Sequence, residues 1–273
     1  MIDTPPPKEL LFSGGAGALN YEMGFSQSLL EIIGRPTLST YNLGGVSAGA
    51  ACAAYMHCAL NENDYDFKYW YQNSSRKFYE PANKKYFGFF TNSDLIYRLS
   101  KEFYIFCLEK GVPDFNSKYH CAMTIIENFG VEKFIVDYFT SPEDFALAVK
   151  ASCFIPGITS FGLYCSYRGK KALDGGIATP VPFKNENSEK VFINVLPDRW
   201  PFIRDRVENM KVINIYESAD LHFPMDYWLW KETWADEMFL KGYFAGFKIQ
   251  KELCDAFGVE MEARLEPKKE AEL

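Results

Sequence analysis

The sequence predicts an α/β domain with parallel strands at its centre. Short apolar runs alternate with helical stretches through the first third of the chain, and Gly-rich turns join each run to the next helix. Strands and helices that alternate in this way form parallel βαβ units. No internal repeat, low-complexity linker or sharp shift in composition divides the 273 residues, and a chain of this length can bury one deep core. We therefore expect a single α/β domain.

Local patterns predict the individual elements. The apolar run 9–13 stops at Gly14-Gly15, as a buried strand does when it enters a turn. Asn20 is the expected N-cap of the first helix, and Pro142 opens a later one. The predicted helices are 20–33, 50–60, 92–110, 142–152 and 225–257, and the predicted strands are 9–13, 40–43, 119–127, 131–138, 163–173, 190–196 and 211–216. Two of these strands, 119–127 and 131–138, are expected to pair.

Charge and composition exclude several functions. The formal net charge is -7, and Lys and Arg are dispersed, with no basic run longer than a pair such as Lys84-Lys85. A nucleic-acid binder needs a dense basic footprint, so we expect no nucleic-acid partner. An acidic chain also gains little from long-range attraction to an anionic lipid surface. The three histidines of the chain argue against a His-rich metal centre.

Cysteine usage and the first residues of the chain predict a soluble cytoplasmic protein. The seven cysteines are odd in number, irregularly spaced and without a C-x-x-C motif, which favours reduced, mostly buried thiols. The first residues lack the basic and apolar regions of a signal peptide. No stretch reaches the roughly 18 uninterrupted apolar residues of a transmembrane helix.

The candidate nucleophile lies in Gly45-Val46-Ser47-Ala48-Gly49, which fits the pattern G-x-S-x-G between a predicted strand and a predicted helix. Small residues around the serine let the chain turn sharply and present the Ser47 hydroxyl at the carboxyl end of the strand. The N-terminus of the following helix favours negative charge at that point. A tight turn without any chemistry is the alternative interpretation.

A second Gly-rich turn, Ser13-Gly14-Gly15-Ala16-Gly17, follows the first predicted strand. Consecutive small residues can point several backbone N–H groups into one concavity, which then binds a phosphate or an oxyanion. A dinucleotide site is disfavoured because Asn20 stands where G-x-G-x-x-G requires its last glycine, and the P-loop Gly-Lys-Ser/Thr is absent.

The third element is Asp174-Gly175-Gly176, which follows the predicted strand 163–173. An Asp-Gly turn between strands is the plain interpretation. Beside a buried nucleophile, the Asp174 carboxylate could instead accept the serine proton directly.

The three elements in this order resemble the patatin-like phospholipase family. That family has a Gly-rich loop after its first strand, a G-x-S-x-G serine about thirty residues later and a D-G-[GA] aspartate. The segment 151–156, Ala-Ser-Cys-Phe-Ile-Pro, also resembles the family's A-S-x-x-I-P stretch, and the resemblance covers roughly residues 9–185. The first loop departs from the family pattern G-G-G-x-x-G at Ala16 and Leu19.

The resemblance implies a three-layer α/β/α fold with a mostly parallel central sheet and a lipid acyl hydrolase that needs no histidine. By resemblance, Ser47 is the nucleophile and Asp174 is the general base. The oxyanion hole would consist of the backbone N–H groups of Gly14, Gly15, Ala16 and Gly17. The implied substrate is a phospholipid or related acyl glycerolipid, with no metal or other cofactor. Head group, chain length and the choice between hydrolysis and acyl transfer stay open, and peripheral contact with a membrane or lipid droplet is compatible with this substrate.

Two other functions stay open from the sequence. A Ser-His-Asp esterase of the α/β-hydrolase type has the chain order Ser, acid, His, which Ser47, Asp174 and His222 satisfy. A catalytically silent binding protein that keeps the fold is the second. The remaining histidines, His57 and His120, are expected to be structural.

The expected organisation is a flexible tail, a single domain and a charged tail, over residues 1–8, 9–260 and 261–273. Aromatic-rich helical insertions are expected within the domain, at about 61–110 and 223–257. Their aromatic parts, 65–90 and 223–247, hold 20 of the 46 aromatic residues. These parts either pack a second layer of core or form a cap over Ser47 that lines an acyl pocket or touches a lipid surface, where Trp and Tyr are favoured.

Overall fold

A computed structural model describes most of the chain. The described residues are 6–62, 84–85, 90–91, 93–116, 118–128, 130–178, 180–197, 209–216, 232–261 and 265–269, together with Phe67, Trp70 and Lys77. His222, nearly all of the aromatic segment 65–90 and the first part of the segment 223–247 lie outside the described residues. The cap over Ser47 and the division into tails and one domain therefore stay predictions.

Strands and helices follow one another in nearly the predicted order. The strands are β1 (Lys8–Phe12), β2 (Tyr41–Val46), β3 (Lys84–Lys85), β4 (Phe90–Thr91), β5 (Tyr119–Glu127), β6 (Gly130–Val136), β7 (Cys165–Tyr167), β8 (Lys170–Leu173), β9 (Glu189–Asn194) and β10 (Lys211–Asn214). The helices are α1 (Leu19–Ile33), α2 (Arg35–Leu38), α3 (Ala48–Asn61), α4 (Ser93–Glu109), α5 (Pro142–Ser152), α6 (Glu232–Lys248) and α7 (Gln250–Phe257), with short 3-10 turns at Ala16–Ala18 and Gly175–Ile177.

Within the described part of the chain, a mixed sheet of eight strands forms the centre of the fold, in the order β10-β9-β1-β2-β5-β8-β7, with β6 also paired to β5. Its five strands from β10 to β5 are parallel to their neighbours, whereas β6, β7 and β8 pair antiparallel. Leu10 and Phe12 of β1 belong to one apolar core and Leu11 to another, because successive side chains of a strand point to opposite faces. The predicted α/β fold with a mostly parallel sheet flanked by helices is confirmed.

Three local predictions need correction. The expected N-cap Asn20 lies inside the first turn of α1, because the 3-10 turn Ala16–Ala18 leads directly into the helix at Leu19 without a side-chain cap. The single strand predicted over 163–173 is a hairpin, in which Arg168 and Gly169 form a two-residue turn with φ of 46° and 77°. The long C-terminal helix is interrupted at Ile249, which separates α6 from α7.

Helix α6 docks on α1 through a glycine contact. A Cβ on Gly24 would lie 1.9 Å from the Phe239 carbonyl oxygen, and a Cβ on Gly242 would lie 2.0 Å from the Tyr21 carbonyl oxygen. The two backbones therefore touch at a distance that a larger residue would prevent. This contact joins the C-terminal part of the chain to the helix that follows the first Gly-rich loop.

All seven cysteines are free, and five of them are buried, as the sequence predicted. No helix within the described ranges is long and apolar enough to cross a membrane.

Replacement of Gly242 by alanine is expected to separate α6 from α1. We expect Gly242→Ala to lower the free energy of unfolding by about 1–3 kcal/mol, the usual cost of overpacking a well-filled core, as measured by urea denaturation. Gly130→Ala is the control, because its Cβ would meet only the Glu127 carbonyl oxygen at 3.7 Å; its change should stay within about 0.5 kcal/mol. Equal losses in both variants would contradict the close contact.

Candidate active site

The pairing of β5 brings two of the predicted site residues together. Strand β6 pairs with β5 over residues 121–127, β2 pairs over 119–122 and β8 over 124–126. A strand has only two edges, so β2 and β8 share the edge opposite β6 and meet there end to end. Ser47 follows the last residue of β2, and Asp174 follows the last residue of β8. The predicted nucleophile and base therefore lie at one junction.

Close contacts at this junction confirm that the two chain segments touch. A Cβ on Gly175, the residue after Asp174, would lie 2.5 Å from Val46 Cγ2 and 2.4 Å from the Ala122 carbonyl oxygen. Val46 is the residue before Ser47. The backbone around the aspartate is therefore packed directly against the strand that carries the serine.

Ser47 has a strained backbone between β2 and α3. Its φ is 54° and its ψ is -127°, a region that a residue with a side chain rarely adopts and that costs about 1–3 kcal/mol. This is the sharp strand-to-helix turn that exposes a serine hydroxyl at the end of a sheet. Small residues are needed around this turn because it packs directly against the backbone of another segment. A Cβ on Gly49 would lie 2.3 Å from the Ser13 carbonyl oxygen.

Ser152 holds this turn in place. Its hydroxyl accepts a hydrogen bond of 2.8 Å from the Ser47 backbone N–H and donates one of 2.6 Å to the Ala122 carbonyl oxygen. The side chain is fully buried. The last residue of α5 therefore links the strained turn to β5, and the Ser47 N–H is already engaged within the protein.

Asp174 is held by its backbone and by one carboxylate oxygen. Its N–H donates to the Phe154 carbonyl oxygen at 2.7 Å, and its own carbonyl oxygen accepts from Thr124 Oγ1 at 2.8 Å. The carboxylate Oδ1 accepts from the Gly176 N–H at 2.8 Å. The other oxygen, Oδ2, is buried and has no hydrogen-bond partner within the described part of the chain.

Burial raises the pKa of Asp174 to about 6, while the nearby Ser47 hydroxyl and the hydrogen bond from the Gly176 N–H lower it. An aspartate with its ordinary pKa is a weak base for a serine hydroxyl. Proton transfer is more effective when the pKa of the base lies near the working pH. Burial at the junction thus makes Asp174 a stronger base than an ordinary aspartate, which the sequence alone does not show.

The Gly-rich loop lies against the serine. A Cβ on Gly14 would lie 3.0 Å from Ser47 Cβ and 3.7 Å from Ser47 Oγ. The Gly15 carbonyl oxygen accepts a hydrogen bond from the Ala18 N–H. The N–H groups of residues 14–17 themselves make no hydrogen bond to another described residue. Among these residues, the described contacts place Gly14 beside the Ser47 hydroxyl.

The two departures in this loop have different consequences. Leu19 has a φ of -48° and is the first residue of α1, so its position does not require glycine. Ala16 has a φ of 46°, a left-handed conformation that costs a residue with a Cβ about 1–2 kcal/mol. The loop therefore keeps its turn at a cost in strain.

Two further groups near the site, the half-buried Cys153 and the buried Glu22, were not predicted from the sequence. Cys153 interacts with Ser47 and Asp174; burial and the negative charge of Asp174 raise the pKa of its thiol well above the ordinary value, and the Ser47 hydroxyl lowers it. The motif A-S-x-x-I-P includes Ser152 but did not indicate its role, and Cys153 occupies one of the unspecified positions of the motif. The thiol is neutral at physiological pH and fills space beside the site.

Glu22 on α1 is the second group. It is fully buried, and neither carboxylate oxygen has a hydrogen-bond partner among the described residues. A Cβ on Gly15 would lie 3.9 Å from its Oε1, so the carboxyl group lies behind the Gly-rich loop. Burial raises the pKa of Glu22 well above its ordinary value, which favours the protonated form.

His57 and His120 bond to backbone carbonyl oxygens. The Nε2 atom of His57 lies 3.0 Å from the Pro113 oxygen, and that of His120 lies 2.7 Å from the Pro182 oxygen. Burial lowers the pKa of both imidazoles. Neither histidine is a described hydrogen-bond partner of Ser47 or Asp174. Within the described ranges, no group of three or more His, Cys, Asp or Glu side chains could hold a metal ion.

The fold and the junction define a class of α/β protein in which a serine on a strained turn meets a buried aspartate beside a Gly-rich loop. The sequence model of the patatin-like phospholipase family matches residues 10–185. The chain belongs to this family, as the resemblance predicted. Membership supports lipid acyl hydrolase activity in general terms and a lipid as the class of substrate.

The sequence identity to individual characterised proteins is low. The chain is similar to the omega-hydroxyceramide transacylase of Homo sapiens, with 25% identity over 186 residues that cover 66% of this chain and 32% of the relative. For the Mus musculus protein of the same name, identity is 24% over 181 residues, covering 66% and 29%. The chain thus spans about a third of the length of the curated relatives it matches.

Solved structures with a similar fold include two bacterial proteins. VipD from Legionella pneumophila has a TM-score of 0.47 at 13% identity, covering 91% of this chain and 67% of VipD. The type III effector protein ExoU has a TM-score of 0.41 at 13% identity, covering 93% of this chain and 54% of ExoU.

The burial of Glu22 predicts a pH-dependent loss of stability. Because the folded protein holds a proton that the unfolded chain releases, the stability contributed by this proton falls as the pH rises above the ordinary pKa of Glu22. Glu22→Gln cannot titrate, so its free energy of unfolding should exceed that of the parent increasingly between pH 5 and 7, by up to about 1.4 kcal/mol per pH unit.

Glu252→Gln, an exposed position on α7, is the matched control. Its difference from the parent should stay constant over the same pH range in urea denaturation. A constant difference for Glu22→Gln as well would show that Glu22 has no raised pKa.

Proposed function

We propose that the chain is a lipid acyl hydrolase that cleaves the ester bonds of phospholipids or related acyl glycerolipids through an acyl-Ser47 intermediate. The observation that carries this proposal is the meeting of Ser47 and Asp174 at the end-to-end junction of β2 and β8. Family membership supports the class of substrate.

In the first step, Asp174 accepts the Ser47 hydroxyl proton as Oγ attacks the ester carbonyl carbon. The oxygen Oδ2 is suited to this role, because it has no other described hydrogen-bond partner and Oδ1 is held by the Gly176 N–H. A pKa of about 6 keeps the carboxyl mostly ionised at neutral pH and raises its basicity above that of an ordinary aspartate.

The carbonyl oxygen becomes negatively charged as Oγ attacks. The backbone N–H groups of residues 14–17 are the proposed donors, since Gly14 lies beside Ser47 and none of the four N–H groups makes a described hydrogen bond. One well-placed donor of this kind lowers the activation free energy by roughly 2.7–4 kcal/mol. The Ser47 N–H is excluded as a donor while it bonds to Ser152.

Collapse of the tetrahedral intermediate breaks the ester bond, and Asp174 returns its proton to the leaving alcohol oxygen. Water then attacks the acyl-Ser47 ester, with Asp174 again accepting a proton. The second tetrahedral intermediate releases the fatty acid and restores the Ser47 hydroxyl. This sequence needs no histidine.

Acyl transfer is a second candidate function. The curated relatives are transacylases by name, and the side chains of Ser47 and Asp174 are buried, which restricts access of bulk water to the acyl-enzyme. A lipid hydroxyl would then take the place of water in the second step. A long-chain alcohol added to the assay separates the two functions, because transfer yields a new ester at the expense of free fatty acid.

Substitution of the two junction residues tests the proposed chemistry. We expect Ser47→Ala and Asp174→Asn each to lower kcat on a soluble short-chain ester and on a phospholipid by at least about a thousandfold, since the nucleophile and its base act as one unit. Labelling by a fluorophosphonate should disappear in Ser47→Ala. His222→Ala is the matched control and should keep parental activity, whereas a comparable loss in this variant would favour the Ser-His-Asp esterase.

The buried base predicts an acidic limit to activity. Since only ionised Asp174 can accept the serine proton, kcat/KM should fall about tenfold per pH unit below its pKa of about 6. The profile should be measured from pH 4 to 8 in the His222→Ala variant, because the ordinary pKa of a histidine side chain falls within this range. A limit near pH 4 would show that Asp174 has an ordinary pKa.

A further inference from the structure

Three exposed apolar side chains lie together on the segment that joins α5 to β7. Phe161 is 70% exposed, Leu163 is 77% exposed and Tyr164 is 43% exposed. Phe161 and Leu163 are the most exposed large hydrophobic residues in the described part of the chain. A contiguous exposed apolar patch marks an interaction surface, because water disfavours it in an isolated protein. We call residues 161–164 the apolar loop.

The apolar loop stands on a well-bonded base. The Ile155 N–H donates to Thr159 Oγ1 and the Thr159 N–H donates to the Ile155 carbonyl oxygen, both at 2.9 Å. The Ser93 N–H, at the start of α4, donates to the Thr159 carbonyl oxygen at 3.0 Å. The turn before the apolar loop is therefore closed on itself and attached to a helix, so the exposed side chains have a fixed support.

This loop is also attached to the candidate base. Phe154, the first residue after α5 and Cys153, accepts the backbone hydrogen bond of Asp174. A Cβ on Gly162 would lie 3.4 Å from Phe154 Cζ, so the middle of the apolar loop rests on the Phe154 ring. Strand pairing places Cys165, directly after the loop, opposite Ala172. The exposed side chains are therefore close neighbours of the Asp174 segment.

The charge around the loop differs from that of the whole chain. Residues 153–173 contain no Asp or Glu and include Arg168, Lys170 and Lys171, although the chain has a net charge of -7. Arg168 pairs with Asp144, and Lys170 pairs with Glu127. The Nζ atom of Lys171 lies 4.9 Å from the centre of the Tyr164 ring, which places one positive charge at the edge of the apolar loop.

We propose that the apolar loop inserts into the surface of an anionic phospholipid membrane, with Lys171 at the level of the head groups. Apolar tips beside a Tyr and a Lys match the layers of such a surface, because Tyr prefers the interface and Lys extends its charge toward phosphate. The inference rests on the proposed function, since a lipid hydrolase must meet its substrate at a lipid surface. A membrane explains both the apolar tips and their attachment to the Asp174 segment.

Vesicle binding tests the inference. Binding to vesicles of phosphatidylcholine with 30% phosphatidylserine is measured by co-sedimentation, in a Ser47→Ala background so that the lipid is not consumed. Phe161→Ser with Leu163→Ser should lower the partition coefficient at least about tenfold, equivalent to about 1.4 kcal/mol. Leu108→Ser with Val131→Ser is the matched control, because both residues are 52% exposed elsewhere on the protein, and it should change binding less than about twofold.

A charge variant provides a second, independent measurement. Lys171→Gln should lower binding about fivefold on the anionic vesicles and leave binding to pure phosphatidylcholine vesicles unchanged, since one basic residue contributes about 1 kcal/mol at an anionic surface. Thermal unfolding of each variant at the parental temperature shows that the fold is retained.

Three results would overturn the inference. The first is that the parent does not bind vesicles, and the second is that the loop variant and its control lose vesicle binding equally. The third is that the loop variant shifts from dimer to monomer while its vesicle binding is unchanged, which would show that the apolar loop contacts a second copy of the chain. Hydrolysis of a soluble short-chain ester by the wild-type chain is measured separately. Its absence would refute the proposed function, whereas the vesicle results still decide the role of the apolar loop.

Discussion

The structure depends on the shared edge of β5. Strand β6 covers one edge of β5, and β2 and β8 divide the other between them from opposite directions. Their ends must meet, so the residues that follow them, Ser47 and Asp174, must meet too. The antiparallel arrival of β8 is essential, because a parallel strand at this place would carry its carboxyl end away from Ser47.

Several unfavourable features are concentrated around this junction. Ser47 has a strained backbone, Asp174 is desolvated and one of its carboxylate oxygens has no partner among the described residues, and Glu22 is buried without a described partner. Such features persist only where the surrounding structure over-determines them. Here the close contact between α1 and α6 and the hydrogen bonds of Ser152 supply that support.

One short segment links the site to the protein surface. Ser152 bonds to the Ser47 N–H, Cys153 interacts with the Ser47 hydroxyl and Phe154 accepts from the Asp174 N–H. The same segment then continues into the apolar loop. The residues that support Ser47, that position Asp174 and that expose apolar side chains therefore follow one another along the chain. If a lipid surface displaced the apolar loop, the movement would reach Ser47 through its hydrogen bond to Ser152 and Asp174 through its hydrogen bond to Phe154.

Local periodicity, small residues and short motifs were enough to predict the βαβ units, the strand-to-helix turn at Ser47 and membership of the family. The predictions were wrong at Asn20, because the 3-10 turn Ala16–Ala18 leads directly into α1, and at 163–173, because Arg168 and Gly169 turn the chain back into the hairpin β7–β8. His222 and most of the aromatic segments stay as predictions. The folded structure was needed to show that Asp174 meets Ser47, that Ser152 holds the turn and that the carboxyls of Asp174 and Glu22 are desolvated. Each of these depends on which strands pair along the edges of β5 and on what becomes buried beside them, and such long-range pairings leave no periodic trace in the sequence.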